Sequence, residues 1–179
     1  MTVYKKFEDS LVSATEAALQ KLLKEHNDIY IFSLNISRET PSVVAVANTY
    51  NNLKELAEPG DEDYFYYKYC EEEWDLWEYD SYKDIIIEEL CSCTGTNNGI
   101  ITEPGTYTSF FDSHCDEIIE SCKNALIRLK GFKEKNCPGL LFMVYIREYL
   151  SADECISIFK QINGKHAAEE YLEHIDDFV

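Results

Sequence analysis

The segment from Glu58 to Glu89 constrains the fold most, because it combines dense negative charge with closely spaced aromatic residues. It contains thirteen Asp and Glu residues against two lysines, Lys68 and Lys83, so these 32 residues have a net charge of −11. An acidic run without aromatic residues is typical of a disordered, solvated chain. Here nine aromatic residues are interleaved with the acids: Tyr64, Phe65, Tyr66, Tyr67, Tyr69, Trp74, Trp77, Tyr79 and Tyr82. We therefore predict a folded, amphipathic and strongly negative surface.

Two strands are predicted inside this segment, at Tyr64–Cys70 and Trp74–Tyr79, since aromatic residues favour strands. In the second strand, Asp75, Trp77 and Tyr79 would share one side, because alternate side chains of a strand point the same way. A strand of this kind would present carboxylates and aromatic rings together on one surface.

The rest of the chain predicts further helices and strands that pack into one α+β domain over residues 1–179. Leu140–Ile146 is almost wholly apolar and is predicted to be the central strand, buried on both faces. The sheet is predicted to be mainly antiparallel, with about five strands and helices packed on it. The other predicted strands, Ile29–Ile36 and Ser42–Ala47, would pair as a hairpin. Helices are predicted over residues 3–26, 49–57, 81–90, 109–131, 151–162 and 166–175, with a long loop over 94–106. Gly131 is predicted to cap the C-terminus of its helix, and Ser151 with Glu154 is predicted to cap the N-terminus of the next as a capping box.

The charge balance excludes several classes of partner. The net charge is −18 over 179 residues, and the 16 Lys and Arg residues are scattered. Nucleic-acid binding needs clustered cations, so neither nucleic acid nor an anionic membrane is an expected partner. No apolar run approaches the ~18 residues that span a bilayer. The N-terminus lacks the apolar region of a signal peptide, so a cytoplasmic protein with reduced cysteines is expected.

The sequence predicts no metal, no cofactor and no catalytic residue. A zinc site could be drawn from Cys91, Cys93, His114, Cys115 and Cys137. However, structural zinc sites use paired cysteines two to four residues apart, and the one close pair here has a single intervening residue. A Cys–His catalytic pair likewise has no local signature, and the cysteines are better explained as small packing residues.

Several elements of the chain resemble a family of small acidic bacterial proteins catalogued as a domain of unknown function. The resemblance extends from about Val3 to Phe178. It rests on the N-terminal helix, the strand Ile29–Ile36, the run from Val43 to Thr49 leading into a short helix, Tyr66–Tyr69 with Glu73 and Trp74, and a late strand before an acidic C-terminal helix. Such families are similar to immunity proteins of polymorphic toxin systems, which are small, acidic and cytosolic and bind one toxin domain. The resemblance implies no active-site residues.

The leading hypothesis is therefore a non-enzymatic, immunity-type inhibitor that binds a basic protein, such as a nuclease toxin domain, through its acidic aromatic surface. One alternative is a housekeeping regulatory or scaffold domain whose charge serves solubility. Another is an enzyme with a cleft lined by Tyr and carboxylates. At least one of Trp74, Trp77 and Tyr79 is expected to be partly exposed. The predicted partner-binding residues are Asp61, Glu62, Asp63, Glu71, Glu72, Glu73, Trp74, Asp75, Trp77, Glu78, Tyr79 and Asp80.

Overall fold

A computed structural model describes residues 4–37, 42–82, 106–147 and 149–175. These residues form a four-stranded mixed sheet with seven α-helices, which confirms the α+β class. Most of the predicted helix 81–90, most of the predicted loop 94–106, and Lys83, Cys91 and Cys93 lie outside the described residues. The single-domain organisation of residues 1–179 stays a prediction.

The first helix, α1 (Lys5–Glu25), forms because apolar residues recur every three or four positions. Phe7, Leu11, Ala18 and Leu22 lie on this stripe, and all four are buried against the sheet. The helix ends where His26 adopts an extended conformation. The predicted helix over residues 3–26 is confirmed within the described part.

A β-hairpin follows, as predicted. Strands β1 (Ile29–Ile36) and β2 (Val43–Thr49) pair in antiparallel register, with Ile36 opposite Val43. Thr49 ends β2 and caps α2 (Tyr50–Leu56), because its hydroxyl accepts a hydrogen bond from the Asn52 backbone N–H at 3.0 Å.

The prediction of a strand at Tyr64–Cys70 is wrong, because Tyr64–Tyr69 forms the helix α3. The Cys70 N–H donates to the Tyr66 carbonyl at 2.8 Å, which is a helical bond. The helix places Tyr69 inside the protein, where its ring packs edge-on against Phe159 and Tyr171. Burial against these distant rings outweighs the weak local preference of tyrosine for strands.

The second predicted strand, Trp74–Tyr79, is shorter than expected. Residues Glu71–Glu73 form a single 3₁₀ turn, and only Leu76–Glu78 pairs with β2 as strand β3. The sheet therefore has four described strands instead of about five.

The strand order is β3-β2-β1-β4, where β4 comprises Leu141–Tyr145. The prediction that this apolar strand is central is wrong, since β4 lies at one end of the described sheet. It pairs in parallel with β1, so the sheet is mixed rather than mainly antiparallel. The strand is nevertheless buried on both faces: Phe142 and Val144 belong to one apolar cluster and Met143 to the other. Its apolar character reflects the helices on both faces, not a central position.

Two layers of helices cover the sheet. On one face, α1 packs with the long helix α4 (Thr106–Arg128). The short helix α5 (Lys130–Asn136) follows and includes Gly131, which was predicted instead to cap α4. Phe159 and Tyr171, from the last two helices, lie with Tyr69 in the apolar cluster of the opposite face.

The last two helices are α6 (Ala152–Asn163) and α7 (Lys165–His174), close to the predicted bounds. Ser151 and Glu154 form the predicted capping box at the start of α6. Gly164 separates the two helices at a φ of +90°, which glycine adopts without steric cost. Within the described residues, no helix combines the length and the apolar character that crossing a membrane requires.

Candidate binding surface

The structure sorts the predicted binding residues into an exposed and an inward-facing set. Glu73 is intermediate between the two. The exposed residues are Asp61, Glu62, Asp63, Glu72, Asp75, Trp77, Tyr79 and Asp80. The prediction that Glu71, Trp74 and Glu78 lie on the surface is wrong, because all three are at most 3% exposed. These three side chains therefore do not belong to the exposed surface.

The exposed residues on and beside β3 form a small surface that we call the β3 patch, comprising Asp75, Trp77, Tyr79 and Asp80. The strand alternation turns Trp77 outward, with Asp75 and Tyr79 exposed on either side of it, while Glu78 is buried. Trp77 is 43% exposed and Tyr79 is 56% exposed. The expectation that at least one of these large aromatic residues is exposed is thus confirmed.

The two aromatic rings of the β3 patch lie nearly parallel to one another. Their centroids are 5.9 Å apart and their planes differ by 14°. The Trp77 indole N–H donates to the backbone carbonyl of Trp74 at 3.0 Å, which fixes the ring relative to the buried residue beneath it. The patch therefore presents an ordered pair of rings and not two freely rotating side chains.

The carboxylates near these rings have few cations to neutralise them. Lys68 is the one lysine between positions 61 and 80, and it pairs with Glu170 of α7 instead. Arg147 lies 3.5 Å from Glu72, but both side chains are well exposed, so this pair is weak. Within the described residues, Glu72 and Glu78 have a cationic partner, whereas the other seven predicted carboxylates have no Lys, Arg or His nitrogen within 4 Å: Asp61, Glu62, Asp63, Glu71, Glu73, Asp75 and Asp80.

Glu78 anchors the β3 patch from below. Its side chain is 2% exposed and forms an ion pair with Lys21 of α1. It also accepts hydrogen bonds from the backbone and hydroxyl of Ser81, both at 3.2 Å. Burial raises the pKa of Glu78, but these partners outweigh burial and the pKa is lowered overall. Glu78 thus stays ionised and ties β3 to the first helix.

Glu71 has the opposite electrostatic environment. It is 3% exposed, and burial raises its pKa to about 8, although its own backbone N–H, Tyr145 and Arg147 favour the charged form. The thiol of Cys155 and the phenol of Tyr171 are close enough to interact electrostatically with it. The raised pKa means that this environment favours the protonated, uncharged form of Glu71.

Sequence reasoning missed that Glu71 is buried, because Glu71, Glu72 and Glu73 look identical in the sequence. A 3₁₀ helix has three residues per turn, so three consecutive side chains point in three directions. When such a turn packs on a core, one of the three faces inward. Only the packing against β4 determines that this residue is Glu71.

The residues from which a zinc site could be drawn, although none is predicted, are only partly described. Cys91 and Cys93 lie outside the described residues. His114 shares a 2.7 Å hydrogen bond with the Tyr4 hydroxyl, and Cys115 contacts the Tyr149 hydroxyl. In the described ranges the cysteines are free thiols, and no group of three or more His, Cys, Asp or Glu residues could hold a metal ion.

Comparison with known families gives one match. The model of a domain of unknown function, DUF4303, matches residues 11–163. The chain belongs to the DUF4303 family. The match begins within α1, ends with α6, and includes the whole described sheet and all the predicted binding residues. It confirms the resemblance to a domain of unknown function, whereas the relation to immunity proteins stays a prediction. No curated protein and no solved structure matches the chain.

Proposed function

We propose that this DUF4303 protein is a non-enzymatic binding protein that docks a basic protein partner on its β3 patch and the neighbouring acidic residues. The nearest functional analogy is an immunity-type inhibitor, which would cover the basic surface of a toxin domain. The observation on which the proposal rests is the exposed Trp77–Tyr79 pair beside Asp75 and Asp80, neither of which has a described cationic nitrogen within 4 Å.

The aromatic pair would slow the dissociation of a bound partner. Exposed Trp and Tyr side chains are the commonest hot spots of protein interfaces, because they bury a large area with few rotatable bonds. Trp77 is already held by its hydrogen bond to Trp74, and β3 is held by the Lys21–Glu78 ion pair. Binding would therefore cost little ordering entropy, since the anchor is preorganised.

The carboxylates would speed the association of a basic partner and select against acidic ones. A net charge of −18 attracts a basic partner over long distances and raises its association rate. Unneutralised carboxylates at the contact would also disfavour acidic partners. A nuclease toxin fits this description as a partner class, because proteins that bind anionic nucleic acid have basic surfaces.

The test starts by isolating the partner, either as the product of a neighbouring gene or by pull-down with the purified protein. Association rates are then measured at low salt for two variants with the same change in net charge. The test variant neutralises three carboxylates of the acidic segment: Glu62→Gln, Asp75→Asn and Asp80→Asn. The control variant neutralises three exposed carboxylates of α4, α5 and α6: Glu117→Gln, Glu134→Gln and Asp153→Asn.

We expect the test variant to associate at least several-fold more slowly than the control, with a weaker dependence on salt. A Trp77→Ala variant should mainly accelerate dissociation, by the equivalent of ~2 kcal/mol for an aromatic anchor. If the two charge variants associate equally fast, the acidic segment is not the docking surface, and the solubility explanation for its charge is preferred.

A further inference from the structure

We infer that the β3 patch recognises an arginine side chain of the partner, which would lie flat against the Trp77–Tyr79 pair while its guanidinium group contacts the nearby carboxylates. This inference depends on the proposed function for the existence of a partner, and it adds the chemical group that is recognised.

The hydrogen bonds of Trp77 determine what this residue can offer a partner. Its only donor, the indole N–H, is already bonded to the Trp74 carbonyl at 3.0 Å. The exposed part of the ring therefore cannot serve as a hydrogen-bond donor. What remains is an electron-rich aromatic surface, which attracts either apolar groups or cations.

The neighbouring carboxylates exclude an apolar group as the ligand of the rings. Asp75 precedes Trp77 by two residues and Asp80 follows Tyr79 directly; both are exposed, and no described cation lies within 4 Å of either. An apolar group docked on the rings would remove water from these carboxylates without pairing them, which is costly. A cation gains from the rings and from the carboxylates together.

The shape of the patch favours arginine over lysine. The rings of Trp77 and Tyr79 are inclined by only 14° and so present flat surfaces of similar orientation. A guanidinium group is planar and weakly hydrated, and it can stack on a ring while its edge donates several hydrogen bonds to carboxylates. An ammonium group is compact and strongly hydrated, so it would gain mainly from charge.

The inference can be tested without the natural partner. Two acetylated and amidated hexapeptides serve as probes, one alternating Gly with Arg and the other alternating Gly with Lys, so that their charges are equal. Affinities are measured by NMR titration at low salt. The indole N–H signal of Trp77 is identified by its absence from a Trp77→Phe variant, which also leaves the Trp74 signal as an internal reference for the buried ring.

We expect the arginine peptide to bind about two- to five-fold more tightly than the lysine peptide, which is the range of exposed cation–π contacts. It should also shift the Trp77 indole signal. Trp77→Leu should abolish the preference, whereas Trp77→Phe, which keeps an aromatic face, should retain most of it. Thermal unfolding of both variants verifies that they are folded.

Equal affinity for the two peptides, or a preference that persists in Trp77→Leu, would overturn the inference. Either result is distinguishable from failure of the proposed function. If the peptides do not discriminate but the variant with Glu62→Gln, Asp75→Asn and Asp80→Asn still associates with the natural partner more slowly than its control, the acidic segment is a docking surface that selects for charge alone. If the peptides discriminate but that variant binds the partner normally, arginine recognition stands and the proposed docking surface does not.

Discussion

The buried carboxyl group of Glu71 should make the stability of the protein depend on pH in a direction opposite to that of an ordinary ion-paired acid. Replacing it in Glu71→Gln keeps the size and shape of the protonated side chain. The variant removes only the ability to ionise. Its stability relative to the wild type therefore isolates the cost of charging this one group.

The sign and size of this pH dependence follow from the pKa values of Glu71 in the unfolded and the folded protein. The pKa of Glu71 is 4.5 in the unfolded chain and about 8 in the folded protein. Between these values the folded state holds a proton that the unfolded state has lost, so stability falls as pH rises, by up to about 1.4 kcal/mol per pH unit. Above pH 8 both states are ionised and the penalty is constant, on the order of 4 to 5 kcal/mol.

The assay is urea unfolding followed by circular dichroism, at pH 5.5, 7.0 and 8.5. We expect the stability advantage of Glu71→Gln over the wild type to grow by about 3 kcal/mol from pH 5.5 to pH 8.5. Other groups that titrate in this range are present in both proteins and cancel in the difference. Asp75→Asn is the control, because Asp75 lies four residues along the chain and is exposed. Its difference from the wild type should stay constant within about 0.5 kcal/mol.

A pH-independent difference for Glu71→Gln would refute the reasoning. Such a result would mean that Glu71 is already ionised in the folded protein at pH 5.5. The Tyr145 hydroxyl and Arg147 would then outweigh burial, and the 3₁₀ turn would be fixed by a charge.

Two further predictions concern the elements that hold the binding surface. Lys21→Met leaves Glu78 buried without its cation, so the variant should be less stable than the wild type at pH 7. The variant should regain stability as the pH falls towards 4.5 and the Glu78 carboxyl group becomes protonated, whereas the stability of the wild type should decline below pH 4.5. Chemical unfolding of both proteins at pH 4 and pH 7 tests this. Phe159→Ala removes the ring that stacks on Tyr171 at a centroid distance of 4.2 Å and meets Tyr69 edge-on. The free energy of unfolding, measured in urea at pH 7, should fall by about 3 to 5 kcal/mol. A loss below ~1 kcal/mol would show that α3 does not depend on this cluster.

The elements predictable from the sequence are those whose signals are local. The apolar spacing of α1, the Ser151 capping box and the β1–β2 hairpin all rest on residues within a few positions of one another, and all three are confirmed. The outward position of Trp77 could also be predicted from strand alternation, although β3 is only three residues long. For these features, local preference and tertiary packing agree.

The features that escaped prediction depend on distant contacts. The segment containing Tyr69 is a helix because rings from α6 and α7, about 90 and 100 residues later in the chain, cover that tyrosine. Glu71 is buried where it interacts electrostatically with Tyr145 of β4 and Tyr171 of α7, both far from it in the sequence. Each contact joins segments whose relative position no local pattern specifies, so the sequence of the acidic segment alone could not distinguish an anchoring acid from an exposed one.

The parallel pairing of β1 with β4 has a consequence for synthesis of the protein. Ile31 pairs with Leu141, so the ribosome must add more than a hundred residues before the pairing can form. During that interval β1 can pair with β2 on one side, while its other edge has yet to meet its partner. An unpaired edge in a strand rich in Ile, Tyr and Phe favours association between nascent chains. Long-range pairing of this kind also slows folding. We therefore expect the nascent chain to be most prone to aggregation in the interval before β4 emerges.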